Sequence, residues 1–443
     1  MNSLRASAGL LERRHWFLLY VLGAAAFFEG YDLNIVAVAL PQLRRSFHLS
    51  QADASLWVSL LFFGALPAVV FTRQADRRGR RLVLLVSILG YTAATGLTAV
   101  ATAVGMFVGC QFFARMFLST EDAVAWTLVA EELPAGARGF GFGWLAMLAA
   151  AGTGTSAIIY GAVLSPLGLS WRLLYVFALP PLLGVFLLRR RLPESGRFAR
   201  ARARGALVER WRQILRPPHR RWLFLLSLTS ALAALTTHAA TFSVDFMQTQ
   251  RHLSATASSL LIVAAGAPAI VVLVTAGALS DRYGRKLVGC SFATLAVIGA
   301  LDFFFVARSV PALYGAMVLT LVGTFGAGPA LGAFGSELFP TSLRALGGSS
   351  VAVARVLGQA LSLGLGGLLL HLFGNLPDTV GVLLLGPVAM VVIVAVWFPE
   401  THGRELEDIS DEPGIGLALG PVPGAVPGPR SSPADLIEPF PGP

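Results

Sequence analysis

Asp76-Arg77-Arg78-Gly79-Arg80-Arg81 returns as Asp281-Arg282-Tyr283-Gly284-Arg285-Lys286, 205 positions further along the chain. Two other pairs keep nearly the same spacing. Glu131-x-x-Pro134-x-x-x-Arg138 matches Glu337-x-x-Pro340-x-x-x-Arg344, and Pro193-Glu194-Ser195 matches Pro399-Glu400-Thr401, each 206 residues apart. Three unlike motifs at one spacing indicate an internal duplication, and each stands where an apolar run ends.

The apolar runs say what is duplicated. Of 443 residues, 55% are hydrophobic and 13% charged, with mean hydropathy +0.70, whereas soluble domains carry about 25% charged residues. Runs of about 20 residues, enough to cross a bilayer, fall near 16–40, 54–72, 82–102, 106–130, 140–164, 171–188, 221–245, 257–279, 287–306, 312–335, 347–373 and 379–398. They are too long for barrel strands, and in lipid a helix satisfies its own backbone. The expectation is an all-α integral membrane protein with twelve transmembrane helices in two six-helix halves. The first run does not read as a cleaved signal peptide, because no small-residue site follows it and Glu29 and Asp32 interrupt it.

The expected organisation is an N-terminal tail (1–15), a first half (16–188), a basic linker (189–220), a second half (221–405) and a tail (406–443). The last is rich in proline and glycine and reads as disordered, having too little apolar surface to offset its ordering cost. The net charge is +10, and arginine crowds the connections between spans 2 and 3, 6 and 7, and 8 and 9. By the positive-inside rule both termini are cytoplasmic and the protein sits in the inner membrane. That placement reads as a topology signal and lipid contact, not as a nucleic-acid surface. Cys110 and Cys290 fall near opposite faces, so no disulfide is expected between them.

The glycine of each Asp-Arg-x-Gly-Arg motif permits a tight turn, and its aspartate can pair with an arginine or a helix N-terminus. A pair that forms in one conformation and breaks in another is a latch. Asp76, Arg77, Gly79, Arg80, Asp281, Arg282, Gly284 and Arg285, with Glu131, Arg138, Glu337 and Arg344 at the proline-terminated ends of spans 4 and 10, make up an expected cytoplasmic gate. The segment Gly277-Ala278-Leu279-Ser280-Asp281-Arg282-Tyr283-Gly284-Arg285-Lys286 resembles the signature loop of the major facilitator superfamily; the first copy departs from it, with Thr72 at the opening glycine. The resemblance covers 16–405. Pro193-Glu194-Ser195 and Pro399-Glu400-Thr401-His402-Gly403 are similar to half-terminal motifs of its sugar-porter and organic-ion branches. Glu29-Gly30-Tyr31-Asp32 resembles the first-helix motif of its aromatic-acid and metabolite proton symporters, with glutamate in place of the usual first aspartate.

Charged residues inside the spans are the candidate site. Glu29 and Asp32, three apart, share a helix face roughly 20–24 Å along from Trp16. A carboxylate there costs several kcal/mol unless paired, hydrated or protonated, which suits a proton carrier; the competing reading is an interhelical pair. In span 4, Arg115 and Asp122 are two turns apart and can form a buried ion pair, while Glu121 points about 100° away and is a second candidate proton site. In span 11, Arg355 lies roughly 16 Å beyond Arg344. Its guanidinium matches a carboxylate, with Gln359 one turn on and Tyr31 as further substrate contacts; Ala354-Arg355-Val356-Leu357-Gly358 resembles the substrate-facing arginine of organic-anion carriers. His238 is the repeat equivalent of Asp32 and a candidate for proton coupling, or a packed hydrogen-bonder.

The resulting expectation is a secondary active transporter that moves a small organic anion by alternating access with proton symport. A sugar, polyol or organic-cation carrier, or a non-transporting membrane receptor, remains the alternative. No metal-ligand cluster, nucleophile elbow or P-loop appears, so neither an enzyme nor a cofactor is expected. The expected partners of a monomer are its small-molecule substrate, protons and membrane lipid.

Overall fold

Each apolar run becomes a helix whose outward side chains stay apolar: the helix Arg80–Ala99 exposes Leu82, Val86, Leu89 and Leu97 while it buries Val83, Leu84, Ile88 and Tyr91. An element apolar all round belongs in lipid. The computed structural model describes residues 11–72, 79–134, 137–190, 215, 217, 219–339 and 343–401. In chain order the long helices are α1 (Arg13–Ser46), α2 (Gln51–Thr72), α3 (Arg80–Ala99), α4 (Val104–Glu132), α5 (Arg138–Ile158, extended by a π-helical turn Ile159–Leu164) and α6 (Arg172–Arg189). The second set is α7 (His219–Thr249), α8 (Ala255–Tyr283), α9 (Arg285–Val306), α10 (Val310–Gly332), α11 (Arg344–Phe373) and α12 (Leu376–Trp397). There is no strand among the described residues. Eleven of these helices are long and apolar enough to cross a membrane. The exception, α4, has the length at 29 residues but carries Arg115, Glu121 and Asp122.

The duplication reaches the backbone. Gly79 and Gly284 adopt the same conformation, φ 105° with ψ 148° and 143°, where a side chain is strained, and each starts the helix that follows. A copy not evident from the charged motifs also emerges. His48-Leu49-Ser50 and His252-Leu253-Ser254 turn the chain between α1 and α2 and between α7 and α8, with both histidines left-handed (φ 53° and 55°). In each, the serine hydroxyl then caps the next helix, accepting from Asp53 N–H (3.0 Å) or Ala257 N–H (3.1 Å).

The two ends of the bundle differ. We call the end where α1 begins the basic face, since Arg13, Arg14, Arg80, Arg81, Arg220, Arg221, Arg282, Arg285 and Lys286 lie there; the other is the far face. Toward the far face one buried cluster runs through both halves, joining Phe28, Tyr91 and Trp171 to Phe242, Phe303 and Leu363. Toward the basic face there are two separate clusters, one around Leu19, Val83 and Val129 and one around Leu226, Phe334 and Phe398. The cross-half polar contacts among the described residues follow suit. Arg44 holds both oxygens of the fully buried Asp245 (2.6 and 2.7 Å), Gln51 donates to the same carboxylate (2.6 Å), and Ser55 donates to Leu363 O (2.7 Å). His371 Nε2 lies 3.8 Å from Asp53. All sit at the far face, so among the described residues the halves are clamped there.

Candidate functional site

The rotation of α1 is fixed by its neighbours. Gly30 and Gly152 let α1 and α5 touch backbone to backbone: a Cβ on either would strike the other helix's carbonyl, at Ala149 or Phe27. Asn34 donates to Thr153 O (2.9 Å) and Ser156 Oγ (3.0 Å), and Tyr31 donates to Leu174 O on α6 (2.8 Å). With these positions committed to α5 and α6, residues 29 and 32 turn toward α3 and α4.

Asp32 is 2% exposed. Gln111 and Arg115 of α4 and Tyr91 of α3 face its carboxyl group, yet Oδ1 has no hydrogen-bond partner among the described residues. Arg115 stacks its guanidinium 4.7 Å from the Phe62 ring centre of α2 and lies within electrostatic reach of both Asp32 and Glu29. The expected Arg115–Asp122 pair does not form, although the two are on one helix face. Two turns separate them by about 10 Å along the axis, and each side chain reaches a nearer neighbour. Asp122 accepts a hydrogen bond from Trp126 Nε1 (2.6 Å) and lies against Glu29.

Glu121 is committed elsewhere. It meets Arg189 at 2.5 Å, with both groups buried, end-on and without the angles of a good hydrogen bond. Arg189, assigned to the linker on sequence, is the last residue of α6 and turns inward; its guanidinium also donates weakly to Leu84 O (3.4 Å).

On α11 in the second half, Arg355 is exposed, forms no ion pair among the described residues, and acts electrostatically on Glu29 and Asp122. Gln359, one turn on, is half-buried. His238 stands apart. It is fully buried, stacked 4.6 Å from Phe242 and pressed against Gly366, and neither ring nitrogen has a partner; only its backbone N–H is held, by Ser362 Oγ (3.0 Å). Among the described residues no charged group acts on it. The structure thus brings Glu29, Asp32, Arg115, Asp122 and Arg355 together, and leaves out Tyr31, Glu121 and His238.

A family model for the Major Facilitator Superfamily matches residues 22–246 and again 224–432. The chain belongs to this superfamily. It is 24% identical over 390 residues to a probable 4-methylmuconolactone transporter of Cupriavidus pinatubonensis, covering 86% of this chain and 90% of that one. It is 26% identical to a putative niacin/nicotinamide transporter of Bacillus subtilis, covering 77% and 85%. A crystallised D-xylose–proton symporter shares the fold, with TM-score 0.73 at 17% identity over 88% of this chain and 99% of that one. This major facilitator protein is therefore a multi-pass membrane transporter, not an enzyme.

Its signature loops are built on the basic face. In the second copy Arg285 donates to Glu337 (2.9 Å) and to Ser280 Oγ (2.8 Å) and pairs with Asp281. Glu400, just after α12, accepts from the backbone N–H groups of Arg285 (2.8 Å) and Lys286 (3.1 Å), so a carboxylate caps the N-terminus of α9. A Cβ at Gly284 would meet that carboxylate. Thr401 donates to Glu337 (2.5 Å), closing the network. Arg282 is exposed over Tyr283. In the first copy Gly79 holds the same turn and Arg81 donates to Arg190 O (2.7 Å); Arg80 is buried. Asp76 and Arg77 lie outside the described residues, as do the side chains of Glu131, Arg138 and Arg344 and the whole 406–443 tail.

Proposed function

We propose that this transporter takes up a small organic anion together with a proton, by alternating access between two six-helix halves, 16–188 and 221–405. The carrying observation is Asp32, a buried carboxyl group with one unpartnered oxygen beside Arg115. Ionised, it has a counter-charge; protonated, it releases Arg115 toward the cleft and Glu29. A group that can exist in both states inside a low-dielectric bundle can couple proton binding to rearrangement. Arg355, exposed and without an ion pair among the described residues, supports an anionic substrate, and relatives that carry an organic acid or lactone agree with that class. Glu29, Gln359 and Asp122 complete the site in this reading.

The arginine-rich connections support a cytoplasmic basic face and an inner-membrane location. The described conformation then opens inward, closed outside by the Arg44–Asp245 clamp. The Arg285–Glu337–Glu400 network serves as the cytoplasmic gate of the second half, and Asp281 its exchangeable partner. The test is uptake of labelled carboxylates into proteoliposomes under an imposed pH gradient. Asp32→Asn should abolish gradient-driven accumulation while keeping substrate exchange; full coupling in that variant would remove Asp32 from the mechanism.

A further inference from the structure

We propose that the outer groove between α9 and α12 is a phospholipid site: one acyl chain lies in the groove and the lipid phosphate rests on Lys286. The site is separate from the charged residues of α1, α4 and α11, and it does not depend on which solute is carried.

The groove follows from side-chain size. Leu287, Cys290, Ser291, Thr294, Leu295 and Ile298 recur at helical spacing and form one face of α9. The middle of that face, Cys290 to Thr294, is small, and α12 sets only Ala395 against it, so the two helices leave a cavity of about 710 Å³. Cys290 Sγ, 3.9 Å from Val391 O, marks where they touch. Both helices are long and apolar enough to cross a membrane, and Leu287, Ile298 and Ala395 are exposed, so the groove opens to lipid. From Lys286 to Ile298 it runs roughly 18 Å along the axis. One leaflet of hydrocarbon is about 15 Å deep, half of a core about 30 Å thick. The groove therefore spans one leaflet, and its charged end falls at headgroup level on the basic face.

The lining decides what fills it. Thr294 Oγ1 donates to Cys290 O of its own helix (2.8 Å) and so asks nothing of a ligand. Below its mouth the groove suits hydrocarbon. At the mouth, Glu400 is committed: its oxygens accept from the backbone N–H groups of Arg285 (2.8 Å) and Lys286 (3.1 Å). The Lys286 ammonium forms no ion pair among the described residues. Its four-carbon stem can lie on the apolar wall while the charge reaches a phosphate. A phospholipid supplies both parts, an anion at the mouth and a chain below it. A soluble anion would leave the groove unfilled, and a neutral lipid would leave Lys286 without a counter-charge.

The experiment places a reporter in the groove, Ser291→Cys, with Cys110 and Cys290 changed to alanine; Ser291 is exposed. The full-length protein, stripped of lipid in a non-ionic detergent, is alkylated with N-ethylmaleimide. Dioleoylphosphatidylglycerol or dioleoylglycerol, which share both chains, is titrated in. The phospholipid should slow alkylation about tenfold at ten times its Kd, and the neutral lipid much less. Lys286→Gln should raise the concentration for half protection about fivefold, the effect of one lysine beside an anionic lipid, whereas Lys286→Arg should keep it. Thr294→Trp, which fills the groove and leaves the charge, should remove the protection. The site is overturned if dioleoylglycerol protects equally or if Lys286→Gln changes nothing. It is also overturned if Val271→Cys, an exposed position on α8, is protected to the same extent, since bulk lipid would then explain the effect.

Discussion

Inside the first six helices lie Asp32 beside Arg115 and Glu121 paired with Arg189, whereas the repeat positions in the last six, His238, Leu321, Ala327 and Ala395, hold one imidazole and three aliphatic side chains. The backbones at the ends of the two copies nevertheless agree, down to the φ of 105° at Gly79 and Gly284 and the left-handed His48 and His252. Duplication has preserved turns and caps, which set helix direction. It has not preserved interiors. The first half buries acids and bases together, Glu121 meeting Arg189 and Arg115 acting on both Asp32 and Glu29, while among the described residues the second half sets the exposed Arg355 against them. A transporter that rocks two halves needs matching hinges but gains from unlike walls, because opposite charges on the two walls let one ligand pull them together.

The sharpest test of that contrast is Arg189→Met. It leaves Glu121 buried without its partner, and breaking a buried pair from one side costs roughly 3–5 kcal/mol. A large drop in thermal stability in detergent is expected, with most of it regained in the double variant Glu121→Gln/Arg189→Met, which removes both charges. The double variant should also keep gradient-driven uptake, since the pair is a brace within one half. Loss of coupling in a stable double variant would return Glu121 to the proton path.

A smaller effect is expected where the halves meet. Asp245→Asn weakens the grip of Arg44 and Gln51 at the far face. Arg44 is partly exposed, 18% at its side chain, so the loss is discounted for solvent to about 1–3 kcal/mol. That corresponds to roughly a five- to 150-fold rise in the population open at that face. A cysteine replacing Ser59, buried close to Gly364 across the interface, reports it in a background with Cys110 and Cys290 changed to alanine. Its labelling by an impermeant thiol reagent should quicken by that factor. An unchanged rate would show that the apolar cluster alone seals the far face.

Much of this was legible in the sequence, because apolar length and motif spacing depend only on the chain. Those features located the helices, the two signature turns and the intramembrane acids Glu29 and Asp32. What was not legible was the partner of each charge. Arg189 stands first in a run with Arg190 and Arg191, and nothing in the order of residues shows that it turns inward to Glu121. Arg44 and Asp245 are 201 positions apart and meet only through the docking of α1 on α7. The Arg115–Asp122 expectation failed because sharing a helix face does not fix contact across two turns. Tyr31 was misplaced for a related reason: periodicity gives a face but not which neighbour covers it. One signal was available and unused, the repeated His-Leu-Ser turn.

The smallest expected effect bears most directly on the contrast between the halves. His238 occupies the repeat position of Asp32, and symmetry argued for a shared proton role. The geometry argues otherwise, because its ring lies between Phe242 and Gly366 with both nitrogens unpartnered and, among the described residues, no charged group acting on it. Charging an imidazole there would put an unmatched cation in an apolar slot, so it serves as a flat packing group. His238→Leu removes two unsatisfied polar atoms and exchanges the ring for an aliphatic side chain, so stability should change by no more than about 1 kcal/mol in either direction. The pH profile of uptake should overlay that of the wild type, while Asp32→Asn alters it. A displaced profile in a His238→Leu protein of normal stability would mean that the second half titrates as well, and that the two interiors are less unlike than their side chains suggest.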